Sequence, residues 1–175
     1  MSDRVHPSLM GPLEECERVR HELLAILREN PATDWAARAS DRMWSLGEYV
    51  NHLIRSEVGT SKMARKLIRG DFRDLVRPPD AAYYDSRLEV YPYGRLAAPS
   101  ALVPTPIPHD HAEGRIAEVH ARFVHELGVF TGPDADGLAA PDPDTGVWFT
   151  LAGWVRLQAL HEAHHIGQIR ALRTT

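Results

Sequence analysis

The sequence contains a single cysteine, Cys16, so no disulfide can form within the chain. It has no run of about 18 consecutive apolar residues, the length that a membrane-spanning helix needs. A formal charge of −4 gives no electrostatic attraction to nucleic acid or to an anionic membrane. No apolar stretch typical of a signal peptide precedes Pro12. We therefore expect a cytoplasmic protein that binds neither nucleic acid nor membranes.

The length and composition are those of one ordinary globular unit. A chain of 175 residues is long enough to bury a substantial core and has the usual size of a single domain. Its hydrophobic content of 43% and its charged content of 25% give no reason to expect disorder. We expect residues 1–175 to form one domain.

Four segments repeat apolar residues at steps of three and four, the period of a helix with one buried face. They run from about Pro12 to Arg28, from Ser45 to Gly70, from Asp110 to Gly128 and from about Thr150 to Leu172. Four helices of this length in one small domain predict an all-α fold, a four-helix bundle.

The second helix has the clearest start signal. Ser45 and Glu48 have the spacing of a capping box, in which each side chain accepts a hydrogen bond from the other residue's amide. Trp44 and Tyr49 have the spacing of a hydrophobic staple. A similar capping pattern, Asp110 with Glu113, predicts the start of the third helix.

The helical period is lost between residues 71 and 108. This stretch holds seven of the 13 prolines together with four tyrosines, Tyr83, Tyr84, Tyr91 and Tyr93. Long connections without helices are often functional or packed across the surface. We expect a proline-rich connection between helices two and three, with a short strand near Leu88 to Tyr91. Its aromatic residues should pack on the bundle, where they can close over a pocket.

The fourth helix places polar side chains on the face that should be buried. One stripe holds Trp154, Leu157, His161, Gln168 and Leu172, with His164 and His165 on either side of it. Unpaired polar groups are costly to bury, so these need partners. His161 and His165, four residues apart, can direct a ring nitrogen at one point, which predicts a metal site. Buried histidines satisfied by hydrogen bonds alone are the alternative.

The same helix contains the string His161-Glu162-Ala163-His164-His165, which matches the zinc-protease motif H-E-x-x-H, where the glutamate is the general base. Proteases of that type take their third ligand downstream, and no His, Asp or Glu follows His165. We interpret the match as coincidental. Glu162 is then expected to be solvated or to orient a ligand, and with Tyr49 it is one of two candidate catalytic residues.

A third metal ligand must come from an earlier helix. Catalytic sites commonly use three protein ligands and leave one position open. His52 is the first choice, because it lies on an inward seam of the second helix among the small side chains of Ser56, Gly59 and Thr60. His120, on the inner stripe of the third helix, is the alternative.

Two segments resemble the DinB/YfiT-like superfamily. Residues 44–53, WSLGEYVNHL, are similar to its pattern W-S-x-x-E-x-x-x-H-L, and residues 161–169, HEAHHIGQI, to its pattern H-x-x-x-H-x-G-Q-[IL]. Residues 98–100, Ala-Pro-Ser, resemble a proline-containing connection of the family. The resemblance implies a four-helix bundle with a three-histidine metal site formed by His52, His161 and His165.

The resemblance also carries functional expectations. It implies a zinc or nickel ion, or less often iron or manganese, with water in the open positions, and frequent homodimers. Gly167 would allow close approach of a helix, and Gln168 would bond near the site. Characterised relatives include transferases and isomerases that use mycothiol, bacillithiol or glutathione.

The first functional expectation is thus a metal-dependent S-transferase that joins a low-molecular-weight thiol to a small electrophile. Tyr49 or a tyrosine of the connection would assist proton transfer, and Cys16 would pack in the core. The alternatives are a metal-dependent hydrolase of small substrates and a non-catalytic stress protein that binds a metal or a small molecule.

Overall fold

The computed structural model of the protein describes residues 5–29, 35–38, 43–93 and 102–172. Its four α-helices are α1 (Pro7–Glu29), α2 (Leu46–Arg69), α3 (His109–Leu127) and α4 (Leu151–Leu172). α1 packs mainly on α4, and α2 packs on both α3 and α4. The predicted helical fold is therefore confirmed. None of the described helices is both long and apolar enough to cross a bilayer.

α1 begins earlier than its sequence period indicated. It starts at Pro7 rather than near Pro12, which lies inside the helix and gives up one amide hydrogen bond there. The reason is the buried stripe, which continues through Leu9, a side chain with no solvent exposure. Burial of the Leu9 side chain offsets the missing bond.

The ends of α2 are as predicted. The Glu48 amide donates to the Ser45 hydroxyl at 3.3 Å, and the Ser45 amide donates to the Glu48 carboxylate at 2.8 Å, which completes the capping box. The rings of Trp44 and Tyr49 meet at 5.4 Å between centroids. Gly70 ends the helix with φ 78°, a left-handed conformation that favours glycine.

The predicted capping box of α3 is wrong. The helix begins at His109, so Asp110 already lies in its first turn, and the cap residue Pro108 makes no side-chain hydrogen bond. Glu113 instead accepts hydrogen bonds from Arg28 of α1, both at 3.2 Å. The helix ends just before Gly128, as expected.

A small sheet accompanies the bundle and was not predicted. Its strands are β1 (Tyr83–Tyr84), β2 (Ala139–Pro141) and β3 (Trp148–Thr150), in the order β1-β3-β2, and a 3-10 turn covers Ala135–Gly137. β1 runs parallel to β3, with Tyr83 opposite Trp148, and β2 runs antiparallel to it. The strand expected near Leu88 to Tyr91 is wrong, because β1 lies four residues earlier. Strands of two or three residues are too short to show an alternating pattern.

The connection between α2 and α3 is described only in part. Residues 71–93 carry β1, and residues 102–108 lead into α3. The Ala-Pro-Ser segment at 98–100 lies outside the described residues.

A polar layer crosses the middle of the bundle. One apolar cluster occupies the end formed by the start of α1 and the start of α4, and a second occupies the opposite end. Between them, along each helix, lie charged or imidazole side chains: Arg20, Glu57, His120, His161, Glu162 and His165. This layer contains the candidate site.

Candidate metal centre

Three imidazoles converge at one point between α2 and α4. The Nε2 atom of His161 lies 3.1 Å from Nε2 of His52 and 3.0 Å from Nε2 of His165. All three side chains are buried. In the described part of the chain, this is the one set of three or more His, Cys, Asp or Glu side chains with ligand atoms close enough to share an ion.

Hydrogen bonds on the far side of the rings fix two of the tautomers. The Nδ1–H of His52 donates to the carbonyl oxygen of Leu102 at 2.9 Å, and the Nδ1–H of His165 donates to Oε1 of Gln168 at 2.7 Å. Because a carbonyl oxygen only accepts, the proton of each neutral ring sits on Nδ1. The Nε2 lone pairs of both rings therefore point at the centre of the cluster.

The third imidazole cannot satisfy both of these lone pairs. Nδ1 of His161 shares a hydrogen bond with the Ser56 hydroxyl at 3.1 Å. A neutral His161 has at most one Nε2 hydrogen, so at least one of these two lone pairs is left without a hydrogen-bond donor. A bound cation would satisfy all of the lone pairs at once. Two nitrogens bound to one tetrahedral zinc ion at about 2.1 Å lie roughly 3.4 Å apart, so the observed spacing fits a single ion after small adjustment.

Burial keeps the cluster uncharged. It lowers the pKa of His52, lowers that of His165 to about 4, and lowers that of His161 well below its ordinary value. The neighbouring imidazoles add to the effect at His161 and His165. All three rings are thus neutral at pH 7, which is the form that binds metal.

His120, the alternative third ligand, lies in a different network. Its Nδ1 atom is 2.8 Å from a carboxylate oxygen of Glu57. The second oxygen of Glu57 accepts from Arg20 at 2.8 Å, and Arg20 makes two further bonds to Glu162, at 2.9 and 2.7 Å. Each of the four helices contributes one member. Sequence reasoning missed this network, although Arg20 occupies an inward position of α1, which is a detectable signal.

The expectation that Glu162 is solvated or orients a ligand is wrong. Its side chain is buried, and both of its oxygens accept from Arg20 on α1. Burial raises the pKa of Glu162, and the Arg20 guanidinium opposes that shift. Residues 161 and 162 are about 100° apart on the helix, which explains why one faces the histidine cluster and the other faces α1. The geometry does not support Glu162 as a catalytic base.

Of the remaining predicted residues, Gln168 and Cys16 lie as expected and Gly167 does not. Gln168 bonds His165 as expected, and Cys16 is buried, where its thiol donates to the carbonyl oxygen of Val155 at 3.3 Å. Burial raises the pKa of Cys16 well above its ordinary value, which argues against reactivity. Gly167 is exposed, and an added methyl group there would meet nothing within 4 Å, so the expected close helix approach is wrong.

Aromatic side chains surround the cluster. Tyr49 lies 5.7 Å from His165 between ring centroids, and Trp44 lies 4.8 Å from His52. The connection between α2 and α3 does reach the site, because Tyr91 lies 5.5 Å from His161. The expectation that aromatic residues of this connection pack on the bundle is met at this position.

The fold and the cluster together define a four-helix bundle with a candidate three-histidine metal centre. The profile of the DinB superfamily matches residues 15–169, and the chain belongs to that superfamily. No curated protein matches the chain.

Two solved structures share the fold. TT2238, described as a four-helix bundle protein, is 20% identical with a TM-score of 0.62, over 93% of this chain and 98% of that one. YfiT from Bacillus subtilis, described as a probable metal-dependent hydrolase with an unusual four-helix bundle topology, is 16% identical with a TM-score of 0.58, over 93% of this chain and 83% of that one. At these identities the likeness establishes the fold alone.

Proposed function

We propose that His52, His161 and His165 hold one divalent metal ion and that the protein is a metal-dependent enzyme acting on small electrophiles. The observation that carries this proposal is the convergence of three neutral imidazoles, whose Nε2 atoms lie 3.0 and 3.1 Å apart with lone pairs that nothing else in the described chain satisfies. Hydrogen bonds to the far nitrogen of a metal-binding histidine are the usual means of orienting it.

A divalent ion with three protein ligands supplies Lewis acidity, which makes a thiol or a water molecule more acidic near neutral pH. Zinc or nickel suits three imidazoles, as do iron and, less well, manganese. The chain's own contribution is orientation. Leu102, Ser56 and Gln168 hold the rings in place, and burial keeps water from competing for the nitrogens.

Tyr49 remains the candidate catalytic residue. Its side chain is buried against His165, and burial raises the pKa of its phenol, so the hydroxyl stays protonated at neutral pH. A protonated phenol beside the cluster can donate a hydrogen bond or a proton to the oxygen of a reacting electrophile. No carboxylate of the described residues hydrogen-bonds to the three histidines, so proton transfer falls to such a neutral group or to solvent.

The nucleophile defines two candidate reactions. Thiol S-transfer is the first, on the basis of the sequence resemblance to thiol-dependent relatives. Hydrolysis is the second, and the description of YfiT as a probable metal-dependent hydrolase supports it. Both use the same centre, and they differ in whether turnover needs a low-molecular-weight thiol.

The experiment begins with elemental analysis of the purified protein. We expect about one divalent ion per chain in the native protein, and a sharp loss in His52→Ala and in His161→Ala. His164→Ala is the matched control, because this neighbouring imidazole bonds the side chain of Gln168 rather than the cluster. Equal loss of metal in all three variants would show that the wrong helix face has been assigned.

The loaded protein is then assayed against small electrophiles with and without mycothiol, bacillithiol or glutathione, and against esters and amides. Metal-dependent turnover that requires a thiol supports S-transfer, and turnover without a thiol supports hydrolysis. Absence of both would leave a metal-binding protein without catalytic function and would refute the enzyme assignment.

A further inference from the structure

Aromatic rings border the histidine cluster on two sides. Trp44 lies over His52 with ring centroids 4.8 Å apart, and also faces His165 at 6.1 Å. Tyr91 faces His161 at 5.5 Å and stacks on His164 at 5.0 Å, with 29° between the ring planes. Trp44 and Tyr91 are both only partly buried, so part of each side chain is exposed.

The position of Trp44 is fixed by the start of α2. It immediately precedes the N-cap Ser45 and packs edge-on against Tyr49 at 5.4 Å. Because the capping box fixes the adjacent Ser45 and the staple contact holds the Trp44 ring itself, this side chain has little freedom to turn away. Trp44 therefore forms a fixed wall rather than a mobile surface ring.

The position of Tyr91 is fixed by the segment 83–93, which follows α4 toward the cluster. At its start, the backbone oxygen of Tyr84 lies so close to Gly153 that a methyl group there would be 2.5 Å from it. Further along, the guanidinium of Arg156 donates to the backbone oxygen of Leu88 at 2.8 Å. Tyr91 then reaches the imidazoles one to two turns farther along α4.

The end of this segment is also anchored. The hydroxyl of Tyr93 donates to the carboxylate of Asp142, and its ring meets that of Tyr91 at 5.7 Å, nearly perpendicular. Contacts before and after Tyr91 thus hold its ring over the cluster. A preorganised wall costs little conformational entropy when a ligand binds against it.

Charged groups contribute little to these walls. Burial lowers the pKa of His52, and Arg55 is the cation in the described part of the chain that lowers it further. The guanidinium of Arg55 already donates to the backbone oxygen of Val103 at 2.8 Å. Among the described residues, no Asp, Glu, Lys or Arg side chain forms a hydrogen bond or an ion pair with the three histidines. The rings of Trp44, Tyr49 and Tyr91 beside the cluster carry no charge, and such rings favour a flat apolar group over a phosphate.

We propose that Trp44 and Tyr91 are the two walls of the substrate site and that they select small electrophiles carrying a planar aromatic group. This inference rests on the proposed metal-dependent function and names the substrate class for it. The reacting atom would lie at the ion, and the aromatic group would lie against the exposed parts of the two side chains. Stacking of this kind changes a binding constant by up to about tenfold per ring.

The test compares two metal-binding probes that differ by a ring, benzohydroxamic acid and acetohydroxamic acid. Their dissociation constants are measured by titration calorimetry on the metal-loaded full chain. We expect benzohydroxamic acid to bind at least about tenfold more tightly to the native protein. In Trp44→Ala and in Tyr91→Ala this preference should fall about five- to tenfold, while acetohydroxamic acid binding changes less than about twofold.

Two sets of variants complete the design. Trp44→Phe and Tyr91→Phe retain a ring and should retain most of the preference, which separates stacking from loss of the fold. Tyr83→Ala is the matched control in the same segment, because its ring contacts Arg77 at 4.6 Å rather than the cluster. It should leave the preference unchanged.

The outcomes separate this inference from the proposed function. A protein that incorporates no ion would overturn both. A metal-loaded protein that binds the two hydroxamates equally well, or whose preference survives both alanine substitutions, would overturn the aromatic walls alone and leave the metal centre in place.

Discussion

Replacement of Arg20 by methionine should be among the most destabilising single changes in the chain. The Arg20 side chain is 7% exposed, and the two carboxylates it bonds, Glu57 and Glu162, are 0% and 2% exposed. Arg20→Met removes three charge-assisted hydrogen bonds and leaves both carboxylates in the core without a cation. Removing one partner of a buried ion pair costs about 3–5 kcal/mol. That is a large fraction of the roughly 5–15 kcal/mol by which a domain is stable.

The free energy of unfolding is measured by urea titration at pH 7, followed by circular dichroism. Arg18→Met is the matched control, because Arg18 lies on the same helix, is 59% exposed and pairs with Glu15 at the surface. Arg18→Met should lower the free energy of unfolding by less than about 1 kcal/mol. A triple variant with Glu57→Gln and Glu162→Gln added to Arg20→Met should recover much of the stability, since no charge is then left unpaired.

The variant should also respond to pH in a defined direction. Burial raises the pKa of Glu162 even in the native network, and loss of Arg20 raises it further. A carboxyl whose folded pKa exceeds its unfolded value stabilises the fold at low pH and loses that contribution as pH rises. The difference in stability between Arg20→Met and the native protein should therefore narrow as pH falls from 7 toward 5, since the histidines contribute equally to both proteins. A loss below about 1 kcal/mol at pH 7, or a triple variant no more stable than the single one, would refute this account of the network.

Three further predictions concern the cluster and its supports. Burial lowers the pKa of His165 from 6.5 to about 4. Between these two pH values the imidazole is therefore protonated in the unfolded chain and neutral in the folded metal-free protein. Unfolding titrations of chelator-treated protein should thus show full stability above pH 6.5 and a decrease, on the order of 3 kcal/mol from this group, by pH 4; a flat profile would contradict the shift. Gly153→Ala should cost about 1–3 kcal/mol in thermal or urea unfolding, because its methyl group would lie 2.5 Å from the backbone oxygen of Tyr84. Gly167→Ala, whose methyl group meets nothing within 4 Å, should be neutral or stabilising. Equal losses of stability in the two variants would mean that the segment 83–93 is not held against α4. His120→Ala should keep its full metal content by elemental analysis, because the His120 imidazole bonds a buried carboxylate outside the cluster. Loss of metal in this variant would instead support His120 as a ligand.

Local sequence determined much of the scaffold. Apolar periodicity and capping residues depend on neighbours within one or two turns, so the extents of α2 and α4 and the cap at Ser45 could be predicted to within a residue. The pairing of His161 with His165 is equally local, because residues four apart share a helix face in any fold. Its position on an inward seam made His52 the first choice as third ligand, and the resemblance of the two histidine segments to a known family selected it over His120.

Contacts between distant segments decided the rest. His52 and His120 both lie on inward stripes, and only the rotation and pairing of α2 and α3 directs one at the cluster and the other at Glu57. The same holds for Glu162, whose surroundings depend on α1, 142 residues earlier in the chain. The three short strands could not be predicted either, since their hydrogen bonds join segments far apart in sequence and leave no periodic signal. A helix face follows from the order of residues along the chain, but what that face meets depends on the packing of the whole bundle.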